Sequence, residues 1–171
     1  MIRLMLVIPT LVRGGAEKQL TLLAAGLPRD EFDVHVAVLT HSGPLEERLQ
    51  EAGIPLTTIG KRWKVDPLSF WRLRRHIKEL KPQIIHTWLF AANAYGRQAA
   101  IAAGVPHIIA GERCVDPWKS AWQLSIDRFL AKQTDRIVTN SSGVKEFYVG
   151  RGLPSDKFDI IPNGIEPQPA H

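Results

Sequence analysis

Short apolar segments alternate with helical segments along the whole chain, and this alternation limits the possible folds more than any other feature. Seven segments have the length and apolar content of strands: residues 2–8, 34–39, 56–59, 84–87, 107–110, 137–139 and 158–161. Alternation of this kind predicts a parallel sheet covered by helices on both faces. We therefore predict an α/β fold, with a Rossmann-like, doubly wound, mostly parallel sheet of about seven strands in one domain, residues 1–165.

The segments between the strands carry signals for the beginnings and ends of helices. Asp66 before Pro67 predicts an N-cap and a first helical residue, and Pro82 ends that pattern. Asp116 before Pro117 predicts a second helix start of the same kind. After a first helix that follows Gly15, the predicted helices are residues 44–52, 67–80, 91–103, 117–132 and 142–150.

A glycine pair, Gly14 and Gly15, stands between the first strand and the first helix. Glycine lacks a Cβ, so another molecule can approach the backbone closely there. The N–H groups and the dipole at a helix start attract phosphate, and open α/β sheets bind ligands at the carboxyl ends of their strands. The pair is therefore a candidate for binding a phosphate. The alternative is a tight turn that serves packing alone.

Two features argue against a dinucleotide-dependent oxidoreductase. The glycine turn lacks the G-x-G-x-x-G pattern of dinucleotide-binding folds. The second strand is followed by Thr40 and His41, where such folds place an acidic residue.

Composition sets the class of protein and the expected compartment. The chain is 44% hydrophobic and 23% charged, as in ordinary globular proteins. A single cysteine, Cys114, excludes an intrachain disulfide and a cysteine metal cluster. No histidine pair has the spacing of a metal site, so we expect no bound metal and no cofactor. We expect a cytoplasmic protein.

Positive charge is concentrated in one segment. Residues 61–81 carry eight Lys or Arg against two acidic residues, a net +6, whereas the whole chain is +5. In the helix predicted from Pro67, the residues on the sheet side are Phe70, Leu73, Ile77 and Leu80. The outward residues, which we call the basic face, are Arg72, Arg74, Arg75 and Lys78. Such a face favours an anionic partner such as phospholipid, nucleic acid or an acidic saccharide, and a solvated outer face is the alternative.

Five motifs occur in an order that resembles family four of the retaining glycosyltransferases with the GT-B fold. They are Gly-Gly-Ala-Glu (14–17), Pro-Gln-Ile-Ile-His-Thr-Trp (82–88), Gly-Val-Pro-His-Ile-Ile-Ala-Gly-Glu-Arg (104–113), Thr-Asp-Arg-Ile-Val-Thr-Asn-Ser (134–141) and Pro-Asn-Gly-Ile (162–165). The resemblance implies one half of a GT-B fold, the N-terminal, acceptor-side domain. It also implies that residues 166–171 begin the interdomain linker.

This resemblance implies a function in the synthesis of cell-envelope polysaccharide. Such an enzyme moves a sugar from a nucleotide-sugar donor to a saccharide or lipid-linked acceptor, with retention and without a protein nucleophile. The implied partners are the donor, the acceptor, an anionic surface on the inner face of the membrane and the C-terminal domain of the same polypeptide, but no nucleic acid. A non-catalytic module that binds saccharide, nucleotide or anionic lipid is the alternative.

The chain departs from the family pattern in three places. The Asp-x-x-His-x-His often seen at the fourth strand becomes Gln83-Ile-Ile-His86-Thr-Trp88. The histidine that some members place after the fifth strand is replaced by Gly111-Glu112-Arg113. No Glu is followed by another Glu eight residues later, so the Glu-x7-Glu motif of the donor-binding domain is absent. We expect that domain to lie outside these 171 residues, which alone are expected to be inactive.

Three residues at predicted strand ends are catalytic candidates under this resemblance. His86 lies at the end of the fourth predicted strand and is suited to hydrogen-bond a hydroxyl or to shuttle a proton near neutral pH. Arg113 offers a fork of donors for a phosphate, and Glu112 could orient a hydroxyl. The alternatives are a histidine satisfied by packing and a mutual Glu112–Arg113 ion pair. Gly14 and Gly15 are then the candidates for binding the donor phosphate.

Three further residues are candidates for binding the acceptor: Trp88, Trp118 and Asn140. Trp118 belongs to a predicted helical stripe with Trp122, Ser125 and Phe129, for which core packing is favoured over an acceptor platform. Ser141 or Ser142 is expected to cap the helix that follows Asn140. Asn163-Gly164 is interpreted as a turn.

Overall fold

The computed structural model describes residues 1–166, which form one seven-stranded sheet flanked by helices. The strands are β1 (Ile2–Thr10), β2 (Phe32–His41), β3 (Leu56–Thr58), β4 (Ile84–Trp88), β5 (His107–Glu112), β6 (Arg136–Thr139) and β7 (Phe158–Ile160). The α-helices are α1 (Gly15–Gly26), α2 (Glu46–Glu51), α3 (Pro67–Leu80), α4 (Leu89–Ala103), α5 (Ala121–Ala131) and α6 (Ser142–Val149). A 3₁₀ turn, Ser155–Lys157, precedes β7.

The strand order is β3-β2-β1-β4-β5-β6-β7, and every neighbouring pair is parallel. The chain moves outward from β1 to β3, returns to place β4 beside β1, and then moves outward in the other direction. This reversal makes a switch point between β1 and β4, where open α/β sheets bind their ligands. The predicted Rossmann-like, doubly wound sheet is confirmed.

The central strands are apolar on both sides because helices cover both faces of the sheet. Successive residues of β1 point to opposite faces, so Leu6 and Met5 enter different cores. One core contains Leu20 of α1, and the other contains Leu73 and Ile77 of α3. A third cluster packs α5 and α6 beneath β5, β6 and β7.

Two helix starts agree with the local sequence signals. Asp66 caps α3 by accepting a hydrogen bond from the Ser69 N–H at 3.1 Å, and Pro67 is the first helical residue. Ser141 caps α6 by accepting from the Val144 N–H at 3.3 Å. Both predicted caps are confirmed.

The predicted start of α5 at Pro117 is wrong, because the helix begins four residues later at Ala121. Asp116 does not cap a helix, since its carboxylate faces inward and accepts a hydrogen bond from the Tyr148 hydroxyl at 2.8 Å. Ser120 is the N-cap of the helix instead, and its N–H donates to the Gln123 side chain at 2.8 Å. Residues 113–120 are therefore a loop, which we call the β5–α5 loop.

Residues 161–166, which we call the exit segment, cross from β7 back toward α1 and α2. The Ile161 N–H still bonds to the Thr139 carbonyl at 2.7 Å. Gly164 forms a reciprocal pair of hydrogen bonds with the Gln19 side chain, at 2.8 and 2.9 Å. Glu166 accepts from Arg48 of α2 at 2.7 Å. The rest of the predicted linker, residues 167–171, lies outside the described residues.

No helix within residues 1–166 is long and apolar enough to cross a membrane.

Candidate functional site

The carboxyl ends of the strands surround a cavity of about 280 Å³, which we call the edge cavity. Its lining residues come from the start of α1, the start of α4, the β5–α5 loop, the end of β6 and the exit segment. They are Gly15, Ala16, Leu89, Arg113, Cys114, Asn140 and Asn163. Of the residues predicted from sequence, Gly15, Arg113 and Asn140 meet here.

The two glycines of the turn have different environments. Gly14 is the N-cap of α1, and a Cβ at this position would collide with the carboxylate of Glu17 in the first turn. Gly15 is exposed, and a Cβ there would meet nothing within 4 Å. A ligand can therefore approach the start of α1 beside Gly15, because the Glu17 carboxylate fills the space beside Gly14.

Arg113 is fixed in place by two neighbours. Its guanidinium carbon lies 4.8 Å from the centre of the Trp88 ring, which is a cation–π distance. One of its terminal nitrogens donates to the side-chain oxygen of Asn163 in the exit segment. Partial burial lowers the pKa of Arg113, but a guanidinium stays charged at neutral pH. The result is an oriented cation at the edge cavity.

Trp88 does not line the edge cavity. Only 3% of its surface is exposed, and it lies beneath Arg113 and beside His86. In this structure Trp88 supports Arg113, and the surface predicted to contact an acceptor is covered.

His86 is a buried, neutral histidine. Burial first, and the nearby Arg113 charge second, lower its pKa to about 3. This environment disfavours the predicted proton shuttle near neutral pH, because a ring with so low a pKa is a weak base there. The alternative of a histidine satisfied by packing also fails, since Nε2 has no partner among residues 1–166. The remaining role for a neutral His86 is to donate or accept a hydrogen bond.

Glu112 faces the interior, away from the edge cavity. Its carboxylate accepts from the Asn93 side chain at 3.3 Å and lies 3.5 Å from the Lys119 ammonium. Burial is the main cause that raises the pKa of Glu112, to about 7. The alternative of a Glu112–Arg113 ion pair is not formed, and the structure places Glu112 behind the cavity wall, away from the position predicted for a bound hydroxyl.

Glu112 belongs to a buried group of charges, which we call the inner charge network. Asp127 is at its centre, with one oxygen 3.0 Å from Arg97 and the other 3.0 Å from Lys119. All three side chains are almost fully buried. The network lies under the β5–α5 loop because Lys119, near the end of that loop, reaches inward. Sequence reasoning missed it, although Arg97 is the lone charge in residues 82–111 and was a usable signal.

The predicted aromatic stripe is not part of the core. Trp118, Trp122 and Phe129 are each about 60% exposed. Trp118 lies in the β5–α5 loop before the helix begins, and its ring packs edge-on against Phe90 at 6.0 Å. The error follows from the late start of α5, which breaks the assumed helical spacing.

The sheet side of α3 agrees with the prediction, with Leu73 and Ile77 buried. The basic face is less uniform than the sequence suggests. Arg72 folds back and donates to the Ile59 carbonyl at 3.0 Å. Arg74 stacks on Trp71 at 5.2 Å, and Arg75 pairs with Glu79 at 3.7 Å.

Buried polar atoms without partners gather at the carboxyl edge of the sheet. Within residues 1–166, six buried side-chain nitrogen or oxygen atoms lack a hydrogen-bond partner. They belong to Ser42, His86, Trp88, Arg113, Thr139 and Asn140; five of these residues end or follow a strand, and His86 lies two residues before the end of β4. Buried polar groups are nearly always hydrogen-bonded, so this concentration indicates a ligand-binding edge.

Comparisons with known proteins assign the family. A family model described as Glycosyltransferase Family 4 matches residues 13–169. A curated Escherichia coli protein, UDP-Gal:alpha-D-GlcNAc-diphosphoundecaprenol alpha-1,3-galactosyltransferase, is 28% identical over 152 residues, which cover 82% of this chain and 39% of that protein. The chain therefore belongs to Glycosyltransferase Family 4, as an N-terminal domain of the GT-B type.

Solved structures share the fold. Anabaena HepE in complex with UDP and glucose superposes with a TM-score of 0.82 at 18% identity, over 97% of this chain and 45% of that one. The lipopolysaccharide outer core galactosyltransferase WaaB gives a TM-score of 0.68 at 14% identity, over 96% of this chain and 46% of that one. The chain thus spans less than half the length of these relatives.

Proposed function

We propose that this domain forms the acceptor side of an enzyme that moves a sugar from a nucleotide-sugar donor to a lipid-linked or saccharide acceptor with retention. The C-terminal domain of the same polypeptide would contribute the remaining donor contacts. The observation that carries the proposal is the edge cavity, where Gly15, Arg113 and Asn140 meet among unpartnered polar atoms. The names of two relatives support it, since one was solved with UDP and glucose and the other uses a diphosphoundecaprenol acceptor.

The residues of the edge cavity suit a transfer that does not use a protein nucleophile. None of its described lining residues is a carboxylate. Partial burial of the sulfur and the hydrogen bond that the thiol donates to the Asp116 carboxylate at 3.1 Å raise the pKa of Cys114 to about 12, so the thiol stays protonated. Arg113 and the backbone at Gly15 stabilise negative charge on the departing diphosphate. Asn140 and Asn163 offer amide groups to sugar hydroxyls.

The proposed reaction is one displacement on a single face of the sugar. The bond between the anomeric carbon and the donor phosphate oxygen breaks, and a bond to the acceptor oxygen forms on the same face. The acceptor hydroxyl gives its proton to the departing diphosphate, and the nucleoside diphosphate leaves. His86 takes no part in this proposed proton transfer, because a pKa of about 3 makes its neutral ring a weak base.

The test is a transfer assay with the full-length polypeptide that carries this domain. UDP-galactose and UDP-glucose serve as donors, and N-acetylglucosamine linked to a short prenyl diphosphate serves as acceptor. We expect Arg113→Ala to lower kcat/KM by about 100- to 1000-fold, as for loss of a group that stabilises developing charge. We expect EDTA to leave the rate unchanged. We also expect NMR to show that the transferred sugar has the same anomeric configuration in the product as in the donor.

The matched control is Arg136→Ala, which removes an exposed arginine at the opposite edge of the sheet, where it pairs with Asp159. Its activity should stay within about twofold of wild type, because an exposed ion pair contributes little. An inverted product would contradict retention. Transfer unaffected by Arg113→Ala would contradict the assigned site, and the absence of transfer from any nucleotide sugar would favour a binding module.

We also propose that the domain associates peripherally with an anionic membrane through the basic face. Lys78 is an exposed member of that face. Pelleting with phosphatidylglycerol vesicles at low salt should fall by at least about fivefold in Lys78→Glu, given about 1 kcal/mol per basic residue at a charged surface. Lys132→Glu, an exposed lysine at the end of α5, should pellet as wild type does. Equal pelleting with neutral and anionic vesicles would contradict the proposal.

A further inference from the structure

We propose that a groove between α3, α4 and α5 binds the hydrocarbon chain of a lipid-linked acceptor. We call it the apolar groove, and its volume is about 540 Å³, within the usual range of ligand pockets. Its apolar walls are built by Pro67, Phe70, Phe90, Ala91, Trp122 and Ile126. This inference rests on the proposed function, because the lipid it binds belongs to the proposed acceptor.

The groove begins beside the edge cavity. Leu89 lines the edge cavity and Phe90, the next residue, lines the groove. The groove also reaches the first residues of α3 and α5, at Pro67 and Trp122. In a parallel sheet these helix starts lie at the carboxyl ends of the strands, where the edge cavity is found. This adjacency supports assigning the two sites to one ligand, with its sugar in the cavity and its chain in the groove.

Exposed apolar side chains extend this surface. Trp122 is a groove residue with 61% of its surface exposed, and Val65, also a groove residue, is 79% exposed. Trp118 packs edge-on against Phe90 and enlarges the aromatic wall. Contiguous apolar patches larger than a few hundred Å² are rare on monomeric soluble proteins and mark binding surfaces. A hydrocarbon chain would cover this surface over its whole length.

The charged residues around the apolar groove indicate which kind of lipid it binds. Lys61 and Lys64 line the groove, and the neighbouring Arg62 is exposed. Asp66 is the one acidic lining residue among those described, and its carboxylate is already occupied by the Arg62 N–H at 2.9 Å and by Ser69. These hydrogen bonds lower the pKa of Asp66 to about 2, so it stays ionised and engaged inside the fold. Positive charge thus flanks an apolar channel, as an anionic lipid diphosphate requires.

The test is calorimetric binding of geranylgeranyl diphosphate below its micelle-forming concentration, with inorganic diphosphate as the chain-free comparison. We expect the prenyl compound to bind at least tenfold more tightly than inorganic diphosphate. Ala91→Trp fills the groove from α4 and should weaken the binding of the prenyl compound about tenfold. Ala25→Trp makes the same change at an exposed position of α1, outside the groove, and should bind as wild type does.

Trp122→Ala provides a second variant should Ala91→Trp fold poorly, because it truncates an exposed groove side chain. We expect it to weaken the binding of the prenyl compound several-fold without changing the binding of inorganic diphosphate. Equal affinity for the two ligands, or an unchanged affinity in both groove variants, would overturn the proposal. Light scattering that finds a dimer abolished by Ala91→Trp would also overturn it, since a second copy would then occupy the groove.

The two proposals fail in different ways. If the wild-type protein transfers sugar and binds the prenyl compound, and Ala91→Trp loses that binding, both proposals stand. If transfer is found but the prenyl compound does not bind, only the groove assignment fails. Binding of the prenyl compound without any sugar transfer would contradict the enzymatic function and, with it, the acceptor role of the groove.

Discussion

Replacing Asp127 by alanine is expected to lower the free energy of unfolding by about 3–5 kcal/mol, the cost of removing one partner from a buried ion pair. Asp127 is fully buried and bonds to Arg97 and Lys119 with different oxygens, each at 3.0 Å. Without Asp127, the buried side chains of Arg97 and Lys119 both lose the carboxylate that balances their positive charge. Urea denaturation at pH 7 measures the change.

Asp159→Ala is the control for this prediction. Asp159 pairs with Arg136 on the surface, where both side chains are nearly half exposed. Its removal should cost about 1 kcal/mol or less, because solvent screens an exposed pair. Equal losses in the two variants would contradict the view that the inner charge network is held by burial of complementary charges.

The Glu112→Gln variant is expected to lose about 2 kcal/mol of stability when the pH falls from 6.5 to 5, at 1.36 kcal/mol per pH unit. The cause is His86, whose pKa is about 3 in the folded state against 6.5 in the unfolded chain. Between those values the unfolded state binds the extra proton, so acid favours unfolding. The stability that His86 contributes is therefore retained above pH 6.5 and lost toward pH 3.

Glu112 itself acts in the opposite direction. Its pKa rises from 4.5 to about 7 on folding, so its contribution to stability is greatest below pH 4.5 and is lost as the pH rises toward 7. The two groups offset each other in wild type between pH 4.5 and 6.5, and Glu112→Gln exposes the His86 dependence.

Chemical denaturation at a series of pH values separates the two groups. Adding His86→Asn to Glu112→Gln should remove most of the loss and leave the smaller contribution of half-buried His76, whose pKa is also lowered. The same loss with and without His86 would contradict the assignment of the pH dependence to this histidine.

The sheet could be predicted because its signals are local. Each strand is a short apolar run between turns, and α3 carries its own cap and proline. The errors occur where a long-range contact overrides a local signal. Asp116-Pro117 has the sequence of a helix start, but the bond from Tyr148, 32 residues away, turns the Asp116 carboxylate inward.

The candidate site was only partly predictable for the same reason. Gly15, Arg113 and Asn140 follow strands, so the topology alone brings them to one edge. The pairing of Arg113 with Asn163 joins residues 50 positions apart, and nothing in the local sequence around either residue indicates it. The protonation state of His86 likewise depends on burial, which the residues around it in sequence do not reveal.

The exit segment determines where any following residues begin. β7 lies four strands away from β1 in the sheet, a distance of about 19 Å at the usual strand spacing. The bonds from Gly164 to Gln19 and from Glu166 to Arg48 bring the chain back across that distance. The departure point of the polypeptide is thus set by surface residues of α1 and α2. Substituting Gln19 or Arg48 would relocate that point while leaving the sheet intact, and it would disturb the edge cavity through Asn163, which lines that cavity.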